Sequence, residues 1–242
     1  MTNNTTPQDT LIGHLTELRK RVVRSLLAIA AGAIVGLVFC KEFYRILQVP
    51  MLQALPEGSF FIATTPFESY LTYFKVSLLA GFFIASPVVF YQLWRFIAPG
   101  LKTRERKYLL PASFVSALLF TGGALFGYFI VFPAGFYYVN LIMSDTAIRL
   151  LPRMSDYFGL SVMMLLAFGV TFELPLFIFI AGKLDIIDYG FIKRNRRYVI
   201  VALFVLAAML TPGPDVLSQL LLALPLWILF EVGGLTLLML RH

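Results

Sequence analysis

YFGLSVMMLLAFGVTFELPLFIFIAG, residues 157–182, decides the fold, because this long apolar run carries a single charge, Glu173. A hydrocarbon core of about 30 Å is crossed by about 20 residues of helix rising about 1.5 Å each, so the stretch reads as a membrane span. Similar runs lie on both sides of it. Six spans are expected at about 22–43, 72–97, 108–132, 157–182, 198–211 and 216–235, all in one membrane domain over residues 1–242. The fifth is short. Thr211-Pro212-Gly213-Pro214 stops it after about 13 apolar residues, or about 20 Å, so the bilayer must thin there or the helix ends must be shielded. The expected fold class is all-α, a polytopic integral membrane protein with six transmembrane helices.

Composition agrees. The 242 residues are 59% apolar and 14% charged, whereas a soluble domain carries about 25% charged residues. The apolar blocks lack a heptad stripe or a charge-rich tract, which excludes coiled coil and disorder. Cys40 is the single cysteine and the histidines number two, so no internal disulfide or His-rich metal site is expected.

The net charge of +7 is explained by topology rather than by nucleic acid. Arg19, Lys20, Arg21 and Arg24 precede the first span, Arg95 to Lys107 and Lys183 to Arg197 fill two loops, and Arg241 closes the tail. Fifteen of the 20 Lys and Arg residues thereby share one side, leaving Lys41, Arg45, Lys75, Arg149 and Arg153 for the other. Lys and Arg in short loops resist transfer, so both termini are expected in the cytoplasm. Met1 to Thr10 is polar, and the first span is expected to stay in the mature chain rather than serve as a cleaved signal.

Charges inside spans cost about 2.5–3.5 kcal/mol near the bilayer centre and need a reason. Glu173, beside Pro175, is either a hydrogen-bonded or protonated tie between helices or a residue lining a polar cavity or proton path. Asp215 and Gln219 are four residues apart at the start of the last span and share a face, with Asp215 placed to anchor a helix N-terminus. Glu17 and Arg21 have the spacing of an ordinary surface ion pair. Glu105 stands alone among Lys102, Arg104, Arg106 and Lys107. Gly32-xxx-Gly36 and Gly123-xxx-Gly127 are spacings that let helices approach, although such pairs are common in Gly-bearing spans. No phosphate loop, zinc-protease helix or nucleophile triad is evident, so no enzyme, cofactor or metal is expected.

Four motifs carry a resemblance over essentially the whole chain. They are His14-Leu15-Thr16-Glu17-Leu18-Arg19-Lys20-Arg21, the run from Tyr91-Gln92-Leu93-Trp94 through Phe96 to Leu101 and Glu105-Arg106, Phe168-Gly169 leading to Phe172-Glu173-Leu174-Pro175, and Leu210-Thr211-Pro212 followed by Pro214-Asp215, Ser218-Gln219, Pro225 and Phe230-Glu231. In this order they resemble the TatC family, with Gly213 inserted where many relatives read Thr-Pro-Pro-Asp. The resemblance implies a six-helix receptor subunit of the twin-arginine translocase in the inner (cytoplasmic) membrane. It implies twin-arginine signal peptides of folded cargo as ligands, single-span TatA- and TatB-type partners in an oligomeric complex, and the proton motive force as energy source. Carried onto this chain, the signal-peptide site comprises Glu17 and Glu105, with Phe96 and Leu101 shaping the surface beside them. Glu173, Asp215 and Gln219 fall at intramembrane polar or partner-contact positions, and Pro50 and Pro87 at structural ones. The physics suits such a site, since guanidinium groups pair with carboxylates in fork geometry and more strongly where water is scarce. The nearby basic side chains are expected to splay toward lipid phosphates.

Two other readings compete. A proton-coupled small-molecule transporter would use Glu173 as its carrier, but no internal repeat supports it. An intramembrane protease needs a nucleophile and base within the spans, and no histidine lies there.

Overall fold

The computed structural model describes residues 7–56, 58–97, 109–143, 151–184, 186–210 and 216–239. Among them the chain is helical: α1 (Pro7–Val38), α2 (Cys40–Ala54), α3 (Glu68–Ile97), α4 (Leu109–Phe126), α5 (Phe132–Met143), α6 (Met154–Phe172), α7 (Leu174–Lys183), α8 (Tyr189–Leu210) and α9 (Val216–Met239). A π-helical turn, Gly127–Val131, joins α4 to α5. Gly13–Val38, Glu68–Ile97, Leu109–Leu141 and Met154–Lys183 are each long and apolar enough to cross a membrane. With α8 and α9 they form a six-span, all-α membrane protein.

Helix boundaries overrun the apolar runs because interfacial residues continue the backbone ladder after hydropathy has fallen. α1 begins at Pro7, well ahead of Val22, and breaks at Phe39, after which α2 occupies part of the connection between the first two expected spans. α8 starts at Tyr189, where the Asp188 carboxylate accepts the Phe191 amide at 2.7 Å and satisfies a free N-terminal donor. Its first turns hold Lys193, Arg194, Arg196 and Arg197, so the continuously apolar part is still the stretch from Tyr198. Arg196 pairs with Glu231 of α9 at 2.6 Å, and the Trp227 indole donates to the same carboxylate at 3.0 Å.

Prolines inside the helices explain the cross-links. Pro87 lacks the N–H that would bond the Phe83 carbonyl, and the Ser86 hydroxyl donates to that carbonyl at 2.7 Å instead. Pro50 frees the Ile46 carbonyl in the same way, and Tyr128 of the π-turn donates to it at 2.6 Å. Tyr157 of α6 donates to the neighbouring Leu47 carbonyl at 2.5 Å. Pro133 cannot bond Phe129, and the ladder widens locally so that the Phe132 amide reaches back five residues to Gly127.

Above these links an aromatic cluster closes the far side: Tyr44 stacks on Phe158 at 4.5 Å, and Phe61 and Phe136 lean on Tyr157. Glu68, 3% exposed, ties the far-side segments. Its carboxylate accepts the amides of Thr64 at 2.7 Å, Thr65 at 3.3 Å and Ser155 at 2.8 Å, and pairs with Arg153 at 3.4 Å. Beside it the Ile62 amide donates to Pro152 and the Met154 amide to Ile62.

α1 leans chiefly on α3 through a glycine seam. A Cβ on Gly32 would lie 2.6 Å from the Gly81 carbonyl oxygen, and one on Gly36 2.6 Å from that of Ser77. In lipid no hydrophobic drive presses two apolar helices together, so close backbone packing must hold them. Gly81→Leu is expected to wedge α1 away from α3 and cost about 1–3 kcal/mol, a fall of about 3–10 °C in the melting temperature of the detergent-purified protein. Unchanged melting would refute the seam's role.

Candidate functional site

The cytoplasmic ends of α1 and α3 meet at Arg21. The spacing of Glu17 and Arg21 suggests a surface pair, but Arg21 is only 9% exposed and lies between the helices. One guanidinium nitrogen engages the Glu17 carboxylate a turn earlier, another lies 3.5 Å from the Gln92 side-chain oxygen on α3, and Nε is buried without a partner among the described residues. The arginine fork thus bridges two helices, a use that a reading confined to one helix misses. Glu17 keeps a third of its side-chain surface, and only its Oε1 is engaged among the described residues. His14 and Arg95 act on the same carboxylate electrostatically.

Phe96 lies one helical turn after Gln92 on the same face of α3 and is half-buried. Two residues before it, Trp94, 1% exposed, anchors this end of α3: its indole N–H donates to Ser116 of α4 at 2.8 Å and its ring sits 5.5 Å from Phe177. Glu17, Arg21, Gln92 and Phe96 therefore form one strip at the cytoplasmic boundary. Glu105 and Leu101 lie outside the described residues. Gln92 and Trp94 belong to the motif around Tyr91, yet only tertiary packing reveals that they support the strip.

Deeper in the bundle, Glu173 occupies the break between α6 and α7 that Pro175 imposes. It is 1% exposed, its carboxyl group faces Ser116, and neither oxygen has a hydrogen-bond partner among the described residues. It is thus enclosed beside the Ser116 hydroxyl of α4. Gln219 donates to the Phe204 carbonyl at 2.9 Å, tying α9 to α8, while Asp215 lies outside the described residues. Pro50 is buried in α2, and Pro87 faces outward from α3. Among the described residues no three His, Cys, Asp or Glu side chains gather as a metal would require.

Residues 13–225 match the family described as Sec-independent protein translocase protein (TatC). A protein of that name from Desulforapulum autotrophicum is 43% identical over 220 residues, which are 91% of this chain and 81% of that protein. The Escherichia coli K12 protein of the same name is 36% identical over 226 residues, 92% of this chain and 86% of its own. A crystal structure of the twin-arginine translocase receptor TatC superposes with a TM-score of 0.84 at 35% identity, covering 95% of this chain and all of that one. The small-molecule transporter reading finds no support in these relatives.

Proposed function

This chain belongs to the TatC family of Sec-independent protein translocase proteins, and from that premise we propose that it is the receptor for twin-arginine signal peptides. As a member it is a non-enzymatic core subunit of the Tat translocase, working in a complex with other Tat components. The peptide's guanidinium groups are captured at the inner-membrane surface by Glu17 and Glu105, beside Phe96 and Leu101. The observation that carries this reading is the Arg21 bridge: Glu17 already holds a guanidinium through one oxygen, so its position suits that ligand, and its exposed remainder faces the side from which a peptide arrives.

The same reading assigns single-span TatA- and TatB-type proteins to the face of α8 and α9 near Gln219 and Asp215. Val201, Val205 and Met209 present apolar surface along this face. Glu173 supplies a polar contact deeper in the bundle, and the proton motive force drives passage of folded cargo.

Arginine's planar fork, unlike lysine's single ammonium, meets a carboxylate with two parallel donors. Replacing both arginines of a signal peptide by lysine is therefore expected to weaken binding to the purified protein in nanodiscs on the order of tenfold, read by titration of a fluorescent peptide. Equal affinity for the two peptides would overturn the recognition chemistry.

A further inference from the structure

Between α2, α3, α4 and α6 lies a cavity of about 320 Å³ whose lining is almost wholly apolar. Its walls include Leu47 of α2, Val76 and Ile84 of α3, Leu125 of α4 and Phe129 of the π-turn. Ile84, Leu125 and Phe129 are among the large exposed side chains, so the cavity opens sideways where lipid lies rather than toward water. From Val76 to Ile84 it runs along eight residues of helix, or about 12 Å, close to the roughly 15 Å of one leaflet's hydrocarbon. Because α3 starts on the far side, the slot spans the far leaflet and ends near the midplane, beneath α2.

We infer that this slot is a binding site for one acyl chain of an anionic phospholipid from the far leaflet. A single acyl chain can enter such a slot along its length, whereas a helix about 10–12 Å across could lay only one face over the mouth. An apolar cavity of about 150 Å³ is known to hold benzene, so about 320 Å³ holds roughly twice as many carbons in a single chain. Lipid tails are as apolar as the slot, so the chain gains packing rather than a hydrophobic transfer, and headgroup charge must provide selection. Lys75 is exposed, precedes Val76 at the headgroup end of the slot, and pairs with no acid among the described residues. Lys41 and Arg45, one turn apart on the outward side of α2, add positive charge at the same level. The π-turn helps to shape the slot, because its widened ladder places Tyr128 and Phe129 in the wall.

The test uses the full chain, exchanged into detergent with equimolar phosphatidylglycerol and phosphatidylcholine and examined by native mass spectrometry. One retained lipid per chain is expected, with phosphatidylglycerol favoured about fivefold for one nearby cation. Leu125→Trp and, independently, Ile84→Trp fill the mouth from opposite rims without entering the core, and each is expected to remove the retained lipid. Lys75→Gln is expected to leave a lipid bound but reduce the headgroup preference, with Lys41 and Arg45 retaining the remainder. Retention unchanged in both tryptophan variants, or no preference in the unaltered protein, would overturn the proposal. So would displacement of the lipid by a single-span TatA-type protein or by a second copy of the chain, since either assigns the slot to a protein.

Discussion

Glu17→Lys is expected to abolish capture of a twin-arginine peptide, lowering affinity by about a hundredfold or more. The substitution removes a carboxylate that pairs with guanidinium and puts an ammonium where the peptide's charge must sit, so attraction is replaced by like-charge repulsion. It also strips Arg21 of its counter-ion while that side chain is still enclosed between α1 and α3, so some loss of stability accompanies the loss of binding. Glu17→Gln separates the two effects, because an amide still accepts a hydrogen bond from Arg21 but offers an incoming guanidinium no charge. Titration of a labelled peptide alongside a melting curve reads both quantities. Near-normal affinity in Glu17→Lys, with melting intact, would dismiss Glu17 as a recognition residue.

The second large effect is structural. Glu68→Ala is expected to destabilise the protein, because three amides, those of Thr64, Thr65 and Ser155, lose their shared acceptor. The melting temperature in detergent is expected to fall on the order of 10 °C, and a protease added from the far side is expected to cut between α2 and α3. Glu68→Gln keeps one carbonyl oxygen for these donors and is expected to fall between the two. A melting temperature within experimental error of the unaltered protein would show that the far-side segments hold without this carboxylate.

These outcomes bear on what the chain's letters reveal unaided. Apolar runs disclosed the membrane class, and the sidedness of Arg and Lys disclosed an orientation, because both signals are sums over many residues. The cross-links were hidden. Glu68 stands at the edge of an apolar run like any interfacial carboxylate, and its partners at and just before the start of α6 are more than eighty residues away in sequence. Arg21 reads as half of a local pair until α3 is laid against it. The extension of α4 through a π-turn to Met143 follows from Pro133 and from donors supplied elsewhere, neither of which alters hydropathy. Glu17 and Phe96 become site candidates only through the family resemblance, since Glu17 alone has the spacing of an ordinary surface pair, and their common strip depends on Gln92.

The bridging of Ile62 to Pro152 and Met154, together with the bond from Glu68 to Ser155, has a consequence for biogenesis. A nascent chain released into the bilayer with its first three spans inserted has made the loop before α3 and its local bonds to Glu68, but not Pro152, Met154 and Ser155, which fasten it to α6. That loop stays loose until the ribosome has delivered the start of α6. Ribosome-stalled chains are therefore expected to be nicked between α2 and α3 while the start of α6 is still held within the ribosome, and to resist once it has emerged and crossed, so that the fastening reports to quality-control proteases that the fourth span has arrived.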